Sequence, residues 1–315
     1  MEALRIVFMG TPEFAVGILD TILQNNYTVV GVITAPDKPA GRGQQIKYSA
    51  VKDYALRHDL KLLQPTNLKD ENFLAELKNL NANLQIVVAF RMLPKVVWEM
   101  PTYGTFNLHA SLLPNYRGAA PINWAIINGE EKTGVTTFFI DDKIDTGAMI
   151  LSAQTAIGPK ETAGQLHDRL MLLGSQTVIE TLKLIEKGNV RTTIQSEGGE
   201  LKTAYKLNKE NCKINWELPA KEIFNLIRGL SPYPAAWSYF RDGNQEWAVK
   251  IYEATVIAEN HSHKIGSILA TKKELKVAVK DGFINVLNLQ FPGKKKMGIL
   301  ELLNGLSFSS NADAY

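Results

Sequence analysis

Three residues of this chain could together hold a developing negative charge and move a proton: Asn107, His109 and Asp145. Asn107 and His109 stand two apart in "GTFNLH" (104–109), which alternates like a strand, so their side chains leave the same face. Asp145 lies in "FFIDDKIDTG", just past an apolar strand-like run. A neutral carboxamide donor, an imidazole and a carboxylate meeting at strand ends could stabilise an oxyanion and carry a proton near neutral pH. A lone strand histidine is more often a satisfied core residue; the two companions favour chemistry. No Ser or Cys is placed as a covalent nucleophile, which favours direct transfer over an acyl-enzyme. Asp141, Asp142 and Asp145 could hold a hard cation, but a solvated loop explains them as well. His261 and His263 lack companion ligands, so no metal is expected.

The elements that must position these groups read as an α/β pattern. "LRIVFMG" (4–10), "TVVGVIT" (28–34), "LQIVVAF" (84–90), "GTFNLH" and "GVTTFFID" (134–141) are strand-like, with helical runs between them. This alternation predicts an open, Rossmann-like parallel sheet with helices on both faces, and the ends of "GTFNLH" and "GVTTFFID" opening on one edge. "GTPEFAVG" lacks the close second glycine of a dinucleotide fingerprint, which argues against a nicotinamide or flavin enzyme. The segment 161–188 reads as a long amphipathic helix. After about residue 190 the texture becomes polar and linker-like, then short strand-like runs predict a small OB-like β-barrel. The expected domains are 1–189, a linker at 190–207, and 208–315.

At 315 residues the chain is long enough for two cores. Its 45% apolar and 21% charged content is that of an ordinary globular protein. No run is long enough to span a bilayer, and the single Cys212, read as structural, fits a reducing cytoplasm. Lys and Arg number 19 against 21 Asp and Glu in residues 1–200, but 16 against 11 in 201–315, which hints at a polyanionic partner. A lysine-rich solvated surface would give the same counts. Two basic segments stand out. "APDKPAGRGQQIKY" carries Lys38, Arg42 and Lys47 in a connection long for an α/β unit, either a surface loop or a finger that orders against phosphates. "PGKKKMG" carries Lys294, Lys295 and Lys296 in the barrel-like part.

The motifs "RIVFMGTPEFA", "PDKPAGRG", "NLHASLLPNYRGAAPI", "IDTGAMI", "GLSPYPAAW" and "PGKKKMG", in this order, resemble the methionyl-tRNA formyltransferases nearly end to end. The resemblance implies a formyltransferase domain followed by a tRNA-binding one. It implies transfer of a formyl group from 10-formyltetrahydrofolate, with no metal, to the α-amino group of Met on initiator tRNA. The catalytic set would fall on Asn107, His109 and Asp145. Folate contacts would fall on Ser111, Leu112, Leu113 and Pro114, on Phe90, Met92 and Leu93, and on the loop of Asp141 and Asp142. Arg42, with Lys38 and Lys47, would meet the acceptor end of the tRNA, and Lys294–Lys296 its acceptor arm. A cytoplasmic monomer is expected. Arg91 and Met92 depart from the usual glycine-leucine-isoleucine run, and Lys143 stands where glycine is common. The rival readings are a formyltransferase or formyl-folate hydrolase acting on a small molecule, such as a sugar nucleotide, and a non-catalytic tRNA-binding protein.

Overall fold

A computed structural model of the chain describes residues 2–40, 45–196 and 198–315. They form two compact units, one of residues 1–118, 133–155 and 167–203, the other of 119–132, 156–166 and 204–315.

In the first unit the apolar runs become strands β1 (Arg5–Gly10), β2 (Thr28–Ile33), β3 (Leu62–Leu63), β4 (Leu84–Val88), β5 (Thr105–His109), β6 (Lys132–Phe139) and β7 (Met149–Ala156). They lie side by side in the order β7-β6-β5-β4-β1-β2-β3. Strands β1 to β5 pair in parallel, and β1 and β4 are buried nearly throughout, as central strands covered on both faces must be.

Helices between the strands begin where the sequence offers caps. The Ser49 hydroxyl accepts from Lys52 N ahead of α2 (Ala50–Arg57), and the Asp70 carboxylate from Phe73 N ahead of α3 (Glu71–Asn79), each satisfying a donor the helix leaves open. Helix α1 (Glu13–Gln24) buries Phe14, Ala15, Ile18, Leu19 and Ile22, a stripe at helical spacing. A Cβ at Gly10 would come within 2.5 Å of the Ala15 Cβ, so the strand-to-helix turn "GTPEFA" closes only around glycine.

One expectation is overturned. Strand β6 runs antiparallel to β5, with Phe106 opposite Phe139 and His109 opposite Thr136. A parallel neighbour needs a crossover that carries the chain back along the whole strand. Here the connection's one helix is α4 (Pro121–Ile127), about 10 Å long, and β6 re-enters the sheet at the end where β5 left it. The carboxyl ends of β5 and β6 therefore do not share an edge. Beyond β6, helix α5 (Ala163–Glu186) occupies the long amphipathic stretch. Within the first unit it is tied to the sheet by the buried Thr181 hydroxyl, 2.8 Å from that of Thr137.

The basic connection at 35–48 contains strand pairing: Lys38–Ala40 and Gln45–Lys47 form a hairpin with Lys38 opposite Lys47. Its base is anchored by Asp37, whose carboxylate accepts from Lys52 Nζ at 2.6 Å and from Gln64 Nε2 at 2.9 Å. These hydrogen bonds hold the Asp37 carboxyl below its ordinary range. Arg42 lies outside the described residues.

The second unit is an antiparallel sheet wrapped around a helix. Strands β8 (Ala236–Asp242), β9 (Gln245–Ile257), β10 (Ile268–Ala270), β11 (Leu275–Val279), β12 (Gly282–Gln290), β13 (Met297–Gly298) and β14 (Asp313–Ala314) take the order β10-β11-β12-β9-β8-β14, with β13 on β12. A bridge between Ser267 and Asp313 brings the two ends of that order together, giving a nearly closed barrel consistent with the OB-like expectation. Its core joins Ile223, Ile227 and Leu230 of α6 (Ala220–Leu230) to Phe240, Val249, Ile251, Val277, Ile284 and Val286.

Cys212 is buried in that core beside Trp216, and burial pushes its thiol pKa up. Both features suppress the thiolate, so N-ethylmaleimide is expected to modify native protein roughly a hundredfold more slowly than denatured protein. Mass spectrometry over a denaturant series measures this; equal rates would mean the unit opens readily around Cys212. No helix among the described residues is long and apolar enough to cross a membrane.

Candidate active site

Strand β5 presents Asn107 and His109 from one face at its carboxyl end. His109 is buried, and its Nε2 lies 2.7 Å from Tyr116 O. A carbonyl can only accept, so Nε2 carries the proton and donates to it, which assigns the tautomer and fixes the ring plane. Nδ1 is then the nitrogen left for chemistry. It faces Asp145 Oδ2 at 3.7 Å, an electrostatic contact too long for a direct hydrogen bond. Among the described residues no partner engages the half-buried Asn107 carboxamide, so both its N–H donors remain available.

Asp145 reaches this position by a detour. The chain passes Phe139 opposite Phe106, then turns back through 140–148 to bring the carboxylate beside His109. Asp145 takes a left-handed φ of +56°, which aspartate tolerates better than most residues. Its Oδ2 accepts from Gly118 N at 2.9 Å. Within the loop Asp141 Oδ1 accepts from Lys143 N at 3.0 Å and from Thr146 Oγ1 at 2.7 Å, closing a tight turn around the exposed Ile144.

Of the other predicted residues, Ser111 is fully buried and donates from Oγ to Asn115 O at 2.7 Å. The segment Ser111–Pro114 is held by Thr136, which donates to Ser111 O at 2.8 Å and accepts from Leu113 N at 3.2 Å. Leu113 and Leu93 are buried, Leu112, Pro114 and Phe90 half-buried, and Met92 exposed. Phe90 packs on the cluster containing Leu93, and the Arg91 guanidinium lies 5.5 Å from the Phe90 ring while donating to the carbonyls of Pro65 and Thr66. Burial pushes the Arg91 pKa down, though it stays a cation. The Asp141 carboxylate serves the loop, and Asp142 is exposed. Lys38 and Lys47 are exposed on the hairpin. Lys294, Lys295 and Lys296 are exposed in the second unit, with Lys296 Nζ 4.8 Å from the Tyr252 ring centre. Among the described residues no group of three or more His, Cys, Asp or Glu is placed to hold a metal ion.

A further residue meets this site from the polar run expected as a linker. Gln195, only 4% exposed, donates from Nε2 to Asp145 O at 2.9 Å and to Gly147 O at 2.8 Å. Its Oε1 accepts from Arg117 Nε at 3.0 Å and Nη2 at 2.7 Å. A single β-bridge between Met149 and Thr193, closed by two hydrogen bonds, holds the run in place. The sequence signal for this is faint: in "TTIQ" the isoleucine is exposed and the glutamine buried, inverting the usual preference.

Residues 4–182 match the formyl transferase family and residues 206–307 the formyl transferase C-terminal domain. The methionyl-tRNA formyltransferase of Flavobacterium johnsoniae is 74% identical over 315 residues, covering all of both chains. That of Bacteroides fragilis is 55% identical over 309 residues, covering 96% of this chain and 95% of its own. Among solved structures, the sugar 3N-formyl transferase WlaRD, determined in the presence of dTDP and 5-N-formyl-THF, aligns with a TM-score of 0.64 at 22% identity, covering 94% of this chain and all of that one. The last similarity bears on fold alone. With two domain matches in order and relatives of this identity along its whole length, the chain belongs to the formyl transferase family, among the methionyl-tRNA formyltransferases.

Proposed function

We propose that this enzyme transfers the formyl group of 10-formyltetrahydrofolate to the α-amino group of methionine on initiator tRNA, in the cytoplasm, for the start of translation. The observation that carries this reading is the Nδ1 edge of His109, with its other nitrogen already committed, facing Asp145 beside the unengaged Asn107 carboxamide. The uncharged amine attacks the formyl carbon and the carbonyl oxygen becomes an oxyanion. Asn107 donates to that oxygen, and His109 Nδ1 takes up the proton released by the amine, leaving an imidazolium that the Asp145 carboxylate stabilises. The proton then passes to the departing folate nitrogen as its bond to the formyl carbon breaks. No acyl-enzyme is needed.

The folate ring sits against Phe90, Met92, Leu93 and the Ser111–Pro114 segment, with the Asp141–Asp142 loop at its edge. The Ser111 hydroxyl serves its own loop, so this segment recognises the ring through main-chain groups and apolar surface. The division into a catalytic domain at 1–189, a linker at 190–207 and a tRNA-binding domain at 208–315 is supported by the two family matches. Lys38, Arg42, Lys47 and Lys294–Lys296 engage phosphates, which makes tRNA affinity fall with added salt.

The test is a transfer assay with 10-formyltetrahydrofolate and three acceptors: methionyl initiator tRNA, uncharged tRNA and an amino-sugar nucleotide. Formylation of the first alone is expected; formylation of the sugar in its place would overturn the reading. Arg42→Ala is expected to lower kcat/KM for methionyl-tRNA by about tenfold or more, with folate binding within about twofold of wild type. Steady-state kinetics with each substrate varied would measure this, and equal efficiency on tRNA would remove the role given to Arg42.

A further inference from the structure

Among the described residues, Gln195 is the one side chain whose contacts reach both supports of the catalytic carboxylate. Its amide nitrogen holds the carbonyls of Asp145 and Gly147, the residues on either side of Thr146. Its amide oxygen holds the Arg117 guanidinium, and the next residue, Gly118, donates its N–H to Asp145 Oδ2. The orientation of the amide admits no exchange of oxygen and nitrogen: the two carbonyls can only accept and the guanidinium can only donate. All four hydrogen-bonding positions of the amide are filled in a buried site. Such a network is stiff when complete and costly when one member is lost.

From this geometry we infer that Gln195 is a positioning residue for formyl transfer: it clamps the 145–147 backbone to Arg117–Gly118 and so aims the Asp145 carboxylate at His109 Nδ1. The left-handed conformation of Asp145 gives the clamp its purpose. A non-glycine residue at positive φ relaxes unless its surroundings hold it, and here the carbonyl of the strained residue is itself one of the two Gln195 acceptors. Relaxation would turn the carboxylate away from a contact that is already 3.7 Å long. Gln195 touches no reacting atom, so its loss should act on the chemical step rather than on substrate binding.

This inference rests on the formyl-transfer reading for its kinetic arm only. Gln195→Met keeps the length and removes every hydrogen bond; Gln195→Glu keeps an acceptor for Arg117 and loses the donors to Asp145 O and Gly147 O. Both are expected to lower kcat about tenfold to a hundredfold, with KM for either substrate within about twofold, because the lost interaction counts mainly in the transition state. Placed on Asp145→Asn, which already disables the carboxylate, Gln195→Met is expected to cost no more than about a further twofold, since coupled residues lose their effect together. Full additivity, wild-type activity in Gln195→Glu, or a loss carried by KM would overturn the inference. Amide hydrogen exchange supplies the arm independent of catalysis. Faster exchange across 143–147 in Gln195→Met supports the clamp even if the wild type transferred no formyl group, a result that would defeat only the functional reading. Unchanged exchange there overturns the clamp.

Discussion

His109→Ala is expected to lower kcat for formyl transfer by about a hundredfold or more, the largest kinetic effect of any single side chain in the site. Among the described residues the ring supplies the only titratable nitrogen facing Asp145, and its Nε2–H is committed to Tyr116 O, so no second orientation keeps both contacts. The substitution also removes the hydrogen bond from His109 Nε2 to Tyr116 O, which costs stability of about 1 kcal/mol. His109→Gln separates the two effects. A glutamine amide can donate to Tyr116 O but carries no proton through the reaction. It is expected to recover much of the lost stability in chemical denaturation while turnover stays near the alanine level. Near-wild-type turnover in either variant would mean that the proton leaves by another route.

The second large effect is expected at a residue with no side chain. A Cβ placed on Gly147 would lie 1.7 Å from Phe139 O and 2.9 Å from its carbonyl carbon. Both contacts are backbone, so no rotamer change relieves them. Phe139 N also donates to Ala148 O at 3.0 Å, tying the loop to the strand at the point of collision. Gly147→Ala must push the 140–148 loop off the end of β6, and Asp145 moves with it. An overpacked site of this kind typically costs about 1–3 kcal/mol, and kcat should fall at least about tenfold as the carboxylate leaves His109. Denaturant titration and single-turnover transfer measure the two effects. A variant as stable and as active as wild type would show that the loop can sit elsewhere without harm to the chemistry.

Much of this architecture is legible in the sequence because burial writes a period into it. The apolar runs within "RIVFMG" and "LQIVV" became parallel strands buried nearly throughout, and the helices that follow start at Ser49 and Asp70, which cap them. The shared face of Asn107 and His109 follows from strand alternation alone. The direction of β6 does not follow. "GVTTFF" shows the same burial whichever way the chain runs, and only the course of residues 110–131 decides it. That reversal changes how Asp145 arrives: by a returning loop with a left-handed residue, instead of at a shared strand edge. Gln195 was legible least of all. A glutamine in a polar run carries no periodic signal, and its importance arises from four hydrogen bonds to three residues distant in sequence. Polar side chains that serve backbone carbonyls are read from coordinates, because their partners are main-chain atoms that any sequence possesses.

The most direct measurement is a crystal structure with a stable analogue of 10-formyltetrahydrofolate that keeps the formyl carbonyl. The expected complex places the carbonyl oxygen about 3 Å from the Asn107 amide nitrogen, with the His109 Nδ1 edge and the Asp145 carboxylate lining the side from which the amine arrives. A formyl group bound away from Asn107, with the imidazole and carboxylate turned toward another region, would contradict it.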